Sequence, residues 1–219
     1  MLKNGDRGVV LQRDKQTYAV APHIPCGVVT PELLRKLADA AERFGIEAMK
    51  ISSAERILLV GLAEDQVDEL WAELGMSPGA AVGLCVRSVR CCPGTTYCRF
   101  GLQDSLGLAR SLDREYHGIE LPGKMKMAVS GCPNQCAESI VRDIGLVGKK
   151  SGWGILLGGC VGARPRLGEA FADGLSDGEA LALVARVIEA YRKTAKPKER
   201  LGRMIERLGG IEAFRGQVG

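Results

Sequence analysis

A chain of 219 residues is long enough for one large domain or two small ones, and 46% hydrophobic with 26% charged residues lets it build a core without disulfides. Thirty basic against 26 acidic side chains leave a net charge of +4, too even a balance to point to nucleic acid. No apolar run approaches the ~20 residues that span a bilayer, and Lys3, Asp6, Arg7, Arg13, Asp14 and Lys15 interrupt the first twenty, so neither a membrane anchor nor a signal peptide is expected and the chain reads as cytoplasmic.

Residues 17–29 (TYAVAPHIPCGVV) read as a strand entering a glycine-containing turn. Thr30-Pro31-Glu32 then supplies an N-cap, a proline at the first helical position and an acid in the first turn. This predicts a helix over 31–44, with Leu33, Leu34, Leu37, Ala38, Ala41 and Phe44 at helical spacing and Gly45 to stop it. Two strands at 48–52 and 56–61 and an amphipathic helix at 63–74 complete a compact α+β unit. Between 80 and 150 the pattern predicts a loop around 91–98, a helix at 102–116, a strand at 124–130, a cysteine-bearing turn and a strand at 143–147. Seven glycines between 145 and 162 either make tight turns or let the backbone approach a bulky ligand. A capping box, Ser176-x-x-Glu179, opens a long helix to about Thr194, and Pro197 separates it from a last helical stretch. There is no internal repeat.

Eight cysteines in a chain of this size, without an export signal, point to metal binding or catalysis rather than to a disulfide scaffold. Five of them fall between Cys91 and Cys136, and four make the pattern Cys92-x5-Cys98 and Cys132-x3-Cys136. A cubane of iron and sulfur takes four thiolates from two loops brought together by the fold. Structural zinc prefers pairs two to four residues apart, which the second pair matches and the first does not, and buried structural thiols are the third reading. The absence of Cys-x-x-Cys excludes dithiol redox chemistry.

Cys92-Pro-Gly-Thr-Thr-Tyr-Cys98-Arg-Phe-Gly101 and Ser130-Gly-Cys132-Pro-Asn-Gln-Cys136-Ala-Glu138 resemble the two signature blocks of siroheme-dependent sulfite and nitrite reductases, and Gly145-Leu-Val-Gly148 follows as a further similar segment. Residues 18–75 resemble that family's ferredoxin-like half-domain. The resemblance implies an α+β fold, with residues 1–76 as a ferredoxin-like half-domain bearing an N-terminal extension, packed on a mixed α/β siroheme and iron–sulfur domain at 77–219. It implies that Cys92, Cys98, Cys132 and Cys136 hold a [4Fe–4S] cluster and that Cys136 also bridges to the siroheme iron. The expected reaction is the six-electron reduction of sulfite to sulfide, with nitrite reduction to ammonia, or an electron-transfer module without siroheme, as the alternatives.

A small oxyanion substrate and a reaction that consumes protons call for fixed positive charge. Lys124-Met125-Lys126 matches the family's Lys-x-Lys, and residues two apart on a strand share a face. Siroheme carries many carboxylates, for which Arg56, Arg87, Arg90, Arg99, Arg142 and Lys149 are the candidate partners. Two departures from the family stand out. Larger members fuse two copies of this unit, so a single copy implies a simplified site or one shared in a homodimer, and Ala54 stands where the family carries an arginine. Cys26, Cys85, Cys91 and Cys160 read as small hydrophobes, and His23 and His117 as structural or surface groups, with a sixth ligand or proton donor at an open heme face as the alternative for either imidazole. No Gly-x-Gly-x-x-Gly follows a strand, so electrons are expected from a separate ferredoxin or reductase subunit.

Overall fold

The computed structural model describes residues 1–219, which divide into two compact units, Met1–Gly83 and Leu84–Gly219. The first unit carries a four-stranded antiparallel sheet of β1 (Val9–Leu11), β2 (Tyr18–Val20), β3 (Ala48–Ile51) and β4 (Ile57–Leu62), in the order β1-β2-β4-β3. Two helices, α1 (Pro31–Arg43) and α2 (Val67–Leu74), bury Leu37, Ala40, Val67, Leu70 and Leu74 with Tyr18, Val20, Leu59 and Leu62. The Thr30 hydroxyl accepts from the Leu33 amide at 3.1 Å, so the helix starts where its cap residue dictates. The strand read over 17–29 stops at Val20, because Pro22 and Pro25 lack the amides a ladder needs, and the chain turns through a 3-10 segment at Pro25–Gly27. Val9–Leu11 is a strand that the sequence pattern does not reveal.

The second unit is built on a mixed five-stranded sheet, β5 (Arg90–Cys91), β6 (Met127–Ser130), β7 (Ile144–Lys149), β8 (Gly152–Leu157) and β9 (Glu169–Leu175), adjacent in chain order. β5, β6 and β7 run parallel, and β7, β8 and β9 antiparallel. Parallel neighbours need a crossover, and between β5 and β6 it carries α3 (Gly94–Tyr97) and α4 (Ser105–Tyr116). Asp104 caps α4 by accepting from the Gly107 amide, which is why this helix begins three residues later than residue 102. Three C-terminal helices follow: α5 (Asp177–Thr194), opened by the reciprocal Ser176 and Glu179 capping box, α6 (Leu201–Arg207) and α7 (Ile211–Val218). Val129, Leu146, Trp153, Ile155, Val184, Val187, Tyr191, Met204 and Phe214 are buried between helices and sheet. No helix is long and apolar enough to cross a membrane.

Among the seven glycines between 145 and 162, Gly145, Gly148 and Gly159 are held by close backbone approach. A Cβ on Gly145 would strike the Ser139 carbonyl, one on Gly148 would lie 2.6 Å from the Gly131 carbonyl, and one on Gly159 would strike that of Ile140. Their small size is taken up by the chain's own backbone.

Candidate active site

The two cysteine blocks leave the sheet at the same end of neighbouring strands. β5 ends at Cys91, paired with Val129, and runs straight into Cys92; β6 ends at Ser130 and runs into Cys132. Adjacent strands lie about 4.8 Å apart, so parallel order alone sets the two loops side by side at the carboxyl ends, where open α/β sheets place their ligands.

Close contact then locks the loops together. The Gly131 amide donates to Cys92 Sγ at 3.1 Å, and the Gly131 carbonyl accepts from Leu102 at 2.8 Å and Gln103 at 3.1 Å. Ser105 Oγ donates to the Cys92 carbonyl at 2.7 Å and lies 3.5 Å from its sulfur. Gly94, with φ +54°, and Gly131 are packed so that a Cβ on the latter would stand 2.7 Å from the Gly94 Cα. Cys132 is buried, Cys92 and Cys98 are half-buried and Cys136 is exposed. Gln135 and Glu138, which flank Cys136, adopt left-handed backbone conformations at φ +49° and +58°. That costs non-glycine residues about 1 kcal/mol or more each and marks a loop shaped for something other than its own stability.

No three thiol, imidazole or carboxylate side chains converge tightly enough to hold a single metal ion. A cubane, whose ligand sulfurs sit at separate corners, suits two facing loops instead. An amide aimed at a cysteine sulfur is also the hydrogen bond that stabilises a thiolate. The donor set therefore fits an iron–sulfur cluster.

The lysines occupy the other end of β6. The ladder begins at Met127, and Lys124–Lys126 precede it as extended chain in which only Met125 bridges, to Val86. The alternation expected of a strand persists: Met125 is fully buried, while Lys124 and Lys126 are half-buried on the opposite side. Burial lowers the pKa of both ammonium groups, and neighbouring cations lower them further: Arg200 and Arg87 at Lys124, and Lys124, Arg142 and Arg200 at Lys126. Lys126 lies six positions before Cys132, at most about 20 Å of chain. The loop after Cys136 runs back along the sheet towards the lysine end, and Arg90 at 2.8 Å and Arg142 at 2.6 Å both pair with Glu138 on the way. These contacts, the Arg90 hydrogen bond first, hold the Glu138 carboxyl below its ordinary value.

Of the other cations expected here, Arg87 is buried, Arg99 is exposed and stacks over the Phe100 ring at 4.5 Å, and Lys149 pairs with Asp173 at 2.7 Å. Arg56 is buried within the N-terminal unit, against Gly79. Arg200, which sequence reasoning missed, binds the buried Asp143 through Nε and Nη2 at 2.8 and 2.6 Å. Cys26 and Cys85 are buried as expected of small hydrophobes, whereas Cys91 and Cys160 are half-buried. Arg87, Lys124, Lys126, Arg142 and Arg200 crowd positive charge against few carboxylates, an arrangement that fits a polyanionic ligand.

Comparison with known proteins agrees with these features. Residues 82–219 match the nitrite and sulphite reductase 4Fe-4S domain, and residues 10–77 match the nitrite/sulfite reductase ferredoxin-like half domain. The chain is 44% identical over 212 residues to an assimilatory-type sulfite reductase of Nitratidesulfovibrio vulgaris, covering 97% of each. It is 37% identical to a nitrite reductase [NAD(P)H] of Bacillus subtilis, covering 91% of this chain and 25% of that protein. The crystal structure of dissimilatory sulfite reductase I superposes with a TM-score of 0.84 at 18% identity, over 93% of this chain and 69% of that one, which is a likeness of fold. The chain is thus an enzyme of the nitrite and sulfite reductase family, oxidoreductases that use a siroheme and a [4Fe–4S] cluster.

Proposed function

We propose that the chain reduces sulfite to sulfide in a six-electron reaction, with the [4Fe–4S] cluster held by Cys92, Cys98, Cys132 and Cys136 and with Cys136 also reaching the siroheme iron. The carrying observation is the interlock of the two cysteine loops at the ends of β5 and β6, with the Gly131 amide on the Cys92 sulfur. Coverage favours sulfite over nitrite: the sulfite reductase relative matches end to end, whereas the nitrite reductase relative shares only a quarter of its length.

When bound, the siroheme and the cluster held by the four cysteines would supply the electrons for the reduction. Arg87, Arg90 and Arg142 hold the siroheme carboxylates. Arg99 on the Phe100 ring and Lys149, paired with Asp173 as Arg90 and Arg142 are with Glu138, are the further candidates of this set. Lys124 and Lys126 bind the substrate oxyanion and donate protons to it. Their lowered pKa values suit that task, since a proton donor works best when its pKa approaches the operating pH. Electrons come from an external ferredoxin or reductase subunit.

The test is methyl-viologen-driven reduction of sulfite and of nitrite by the purified holoenzyme and by Lys124→Met and Lys126→Met, with siroheme and iron quantified in each. Each lysine should be worth at least about tenfold in turnover at unchanged cofactor content, the size of one charge-assisted contact in a partly desolvated pocket. Preference for nitrite in kcat/KM would replace the sulfite reading, and full activity in both variants would make the lysines surface residues.

A further inference from the structure

We infer that Asp143 and Arg200 are positioning residues for the anion site: their buried ion pair anchors the backbone of Lys126 and supplies the counter-charge that keeps Lys124 and Lys126 protonated. The inference rests on the reading that these lysines take the anion. Asp143 lies at the foot of β7 with 1% of its side chain exposed, and three hydrogen bonds satisfy its carboxylate: Nε and Nη2 of Arg200 and the backbone amide of Lys126, the last at 2.7 Å. Lys126 falls just before the ladder: its carbonyl accepts from the Ile144 amide at 3.3 Å, and the Asp143 carboxylate takes its amide, so both of its backbone groups are fixed at the foot of β7. Arg200 is the residue immediately before α6, 57 positions along the chain. The C-terminal helices are thereby tied to the lysine segment through one carboxylate.

The charges make that carboxylate more than a fastener. Lys126 faces Lys124, Arg142, Arg200 and Asp143; Lys124 faces Arg200, Arg87 and Asp143; Arg87 faces Cys85 and Arg200. Tyr191 on α5 and the Cys160 thiol complete the groups around the pair. Burial raises the Asp143 pKa, but the bidentate fork requires the carboxylate form, and on the partner Asp143 outweighs burial and raises Arg200. Asp143 is the group that raises both lysines against the cations that lower them.

Competitive labelling of the holoenzyme with trace acetic anhydride between pH 8 and 11.5, read by peptide mass spectrometry, gives the titration midpoints of Lys124 and Lys126 without any turnover. In Asp143→Asn both midpoints should fall by about 1 unit, the size expected for removing a unit charge several Å away at an effective dielectric of about 20. A pair that merely held the fold would, once broken, expose the lysines and move the midpoints up towards the ordinary value; a rise, or no change, overturns the inference. Should Asp143→Asn fail to fold, Arg200→Gln, which removes a cation and leaves the carboxylate, should raise both midpoints while the limiting labelling rate at high pH, which reports exposure, stays that of the wild type; unchanged midpoints, or a rise accompanied by a faster limiting rate, overturn the inference. Turnover by the lysine variants is independent of this measurement. Full activity in Lys124→Met and Lys126→Met beside shifted midpoints would remove the anion-site reading while leaving the electrostatic coupling in place.

Discussion

Gly131→Ala should empty the metal site while leaving most of the fold intact. The added Cβ would stand 2.7 Å from the Gly94 Cα, 2.9 Å from the Gln103 carbonyl and 3.1 Å from Ser105 Oγ, against ordinary contacts of 3.4–4 Å. Two of these neighbours are backbone, and the third is the hydroxyl already committed to the Cys92 carbonyl, so none can swing aside as a long side chain would. Relief requires the loops to part by several tenths of an ångström, which stretches the Gly131 amide from Cys92 Sγ and the Leu102 and Gln103 amides from the Gly131 carbonyl. Overpacking of this kind costs about 1–3 kcal/mol, and each hydrogen bond weakened adds roughly 0.5–1.5 kcal/mol, so ~3 kcal/mol falls on the geometry that a cubane needs. The assay is iron and acid-labile sulfide per chain, beside the far-UV circular dichroism spectrum. Gly178→Ala is the control: it lies in α5, where an added Cβ meets nothing within 4 Å, and should be neutral or slightly stabilising. Full iron and sulfide in Gly131→Ala would refute the view that this interlock shapes the cluster site.

Cys136→Ser should lose the cluster and alter the siroheme spectrum together; loss of iron and sulfide with an unaltered heme spectrum would sink the bridging role. Glu199 is held down at about 2, first by the Arg207 guanidinium, with burial opposing. A depressed carboxyl contributes stability that is complete above its unfolded value near 4.5 and is lost as pH falls from there towards 2. With Arg207 one-third exposed, that contribution discounts to about 1–2 kcal/mol. The difference in thermal midpoint between wild type and Glu199→Gln should therefore be present at pH 7 and shrink through that window; a constant difference down to pH 2.5 would contradict it.

What the sequence makes legible, and what it hides, follows from the range of the forces involved. Thr30, Pro31 and the Ser176–Glu179 pair act within one helical turn, so their composition predicts the helix starts that the structure has. β9 escapes notice because its exposed and half-buried residues do not alternate along Glu169–Leu175, and its place in the sheet is fixed by pairing with β8 rather than by its own pattern. The lysine segment shows the reverse case. Alternation about Met125 is real, yet the ladder starts only at Met127, because period-two burial is a property of side chains and ladder membership a property of backbone partners. The cysteine spacing names the ligands a cluster would take, but it does not say that the loops meet; that follows from β5 and β6 being parallel neighbours, which no local signal encodes. Arg200 sits in a Lys-Pro-Lys-Glu-Arg run that reads as solvated surface, and Asp143 beside Arg142 reads as one more charged pair. Only the fold brings them together across 57 residues, with the carboxylate buried and the amide of Lys126 as its third partner, and that burial turns two unremarkable charges into a device that acts on the lysines.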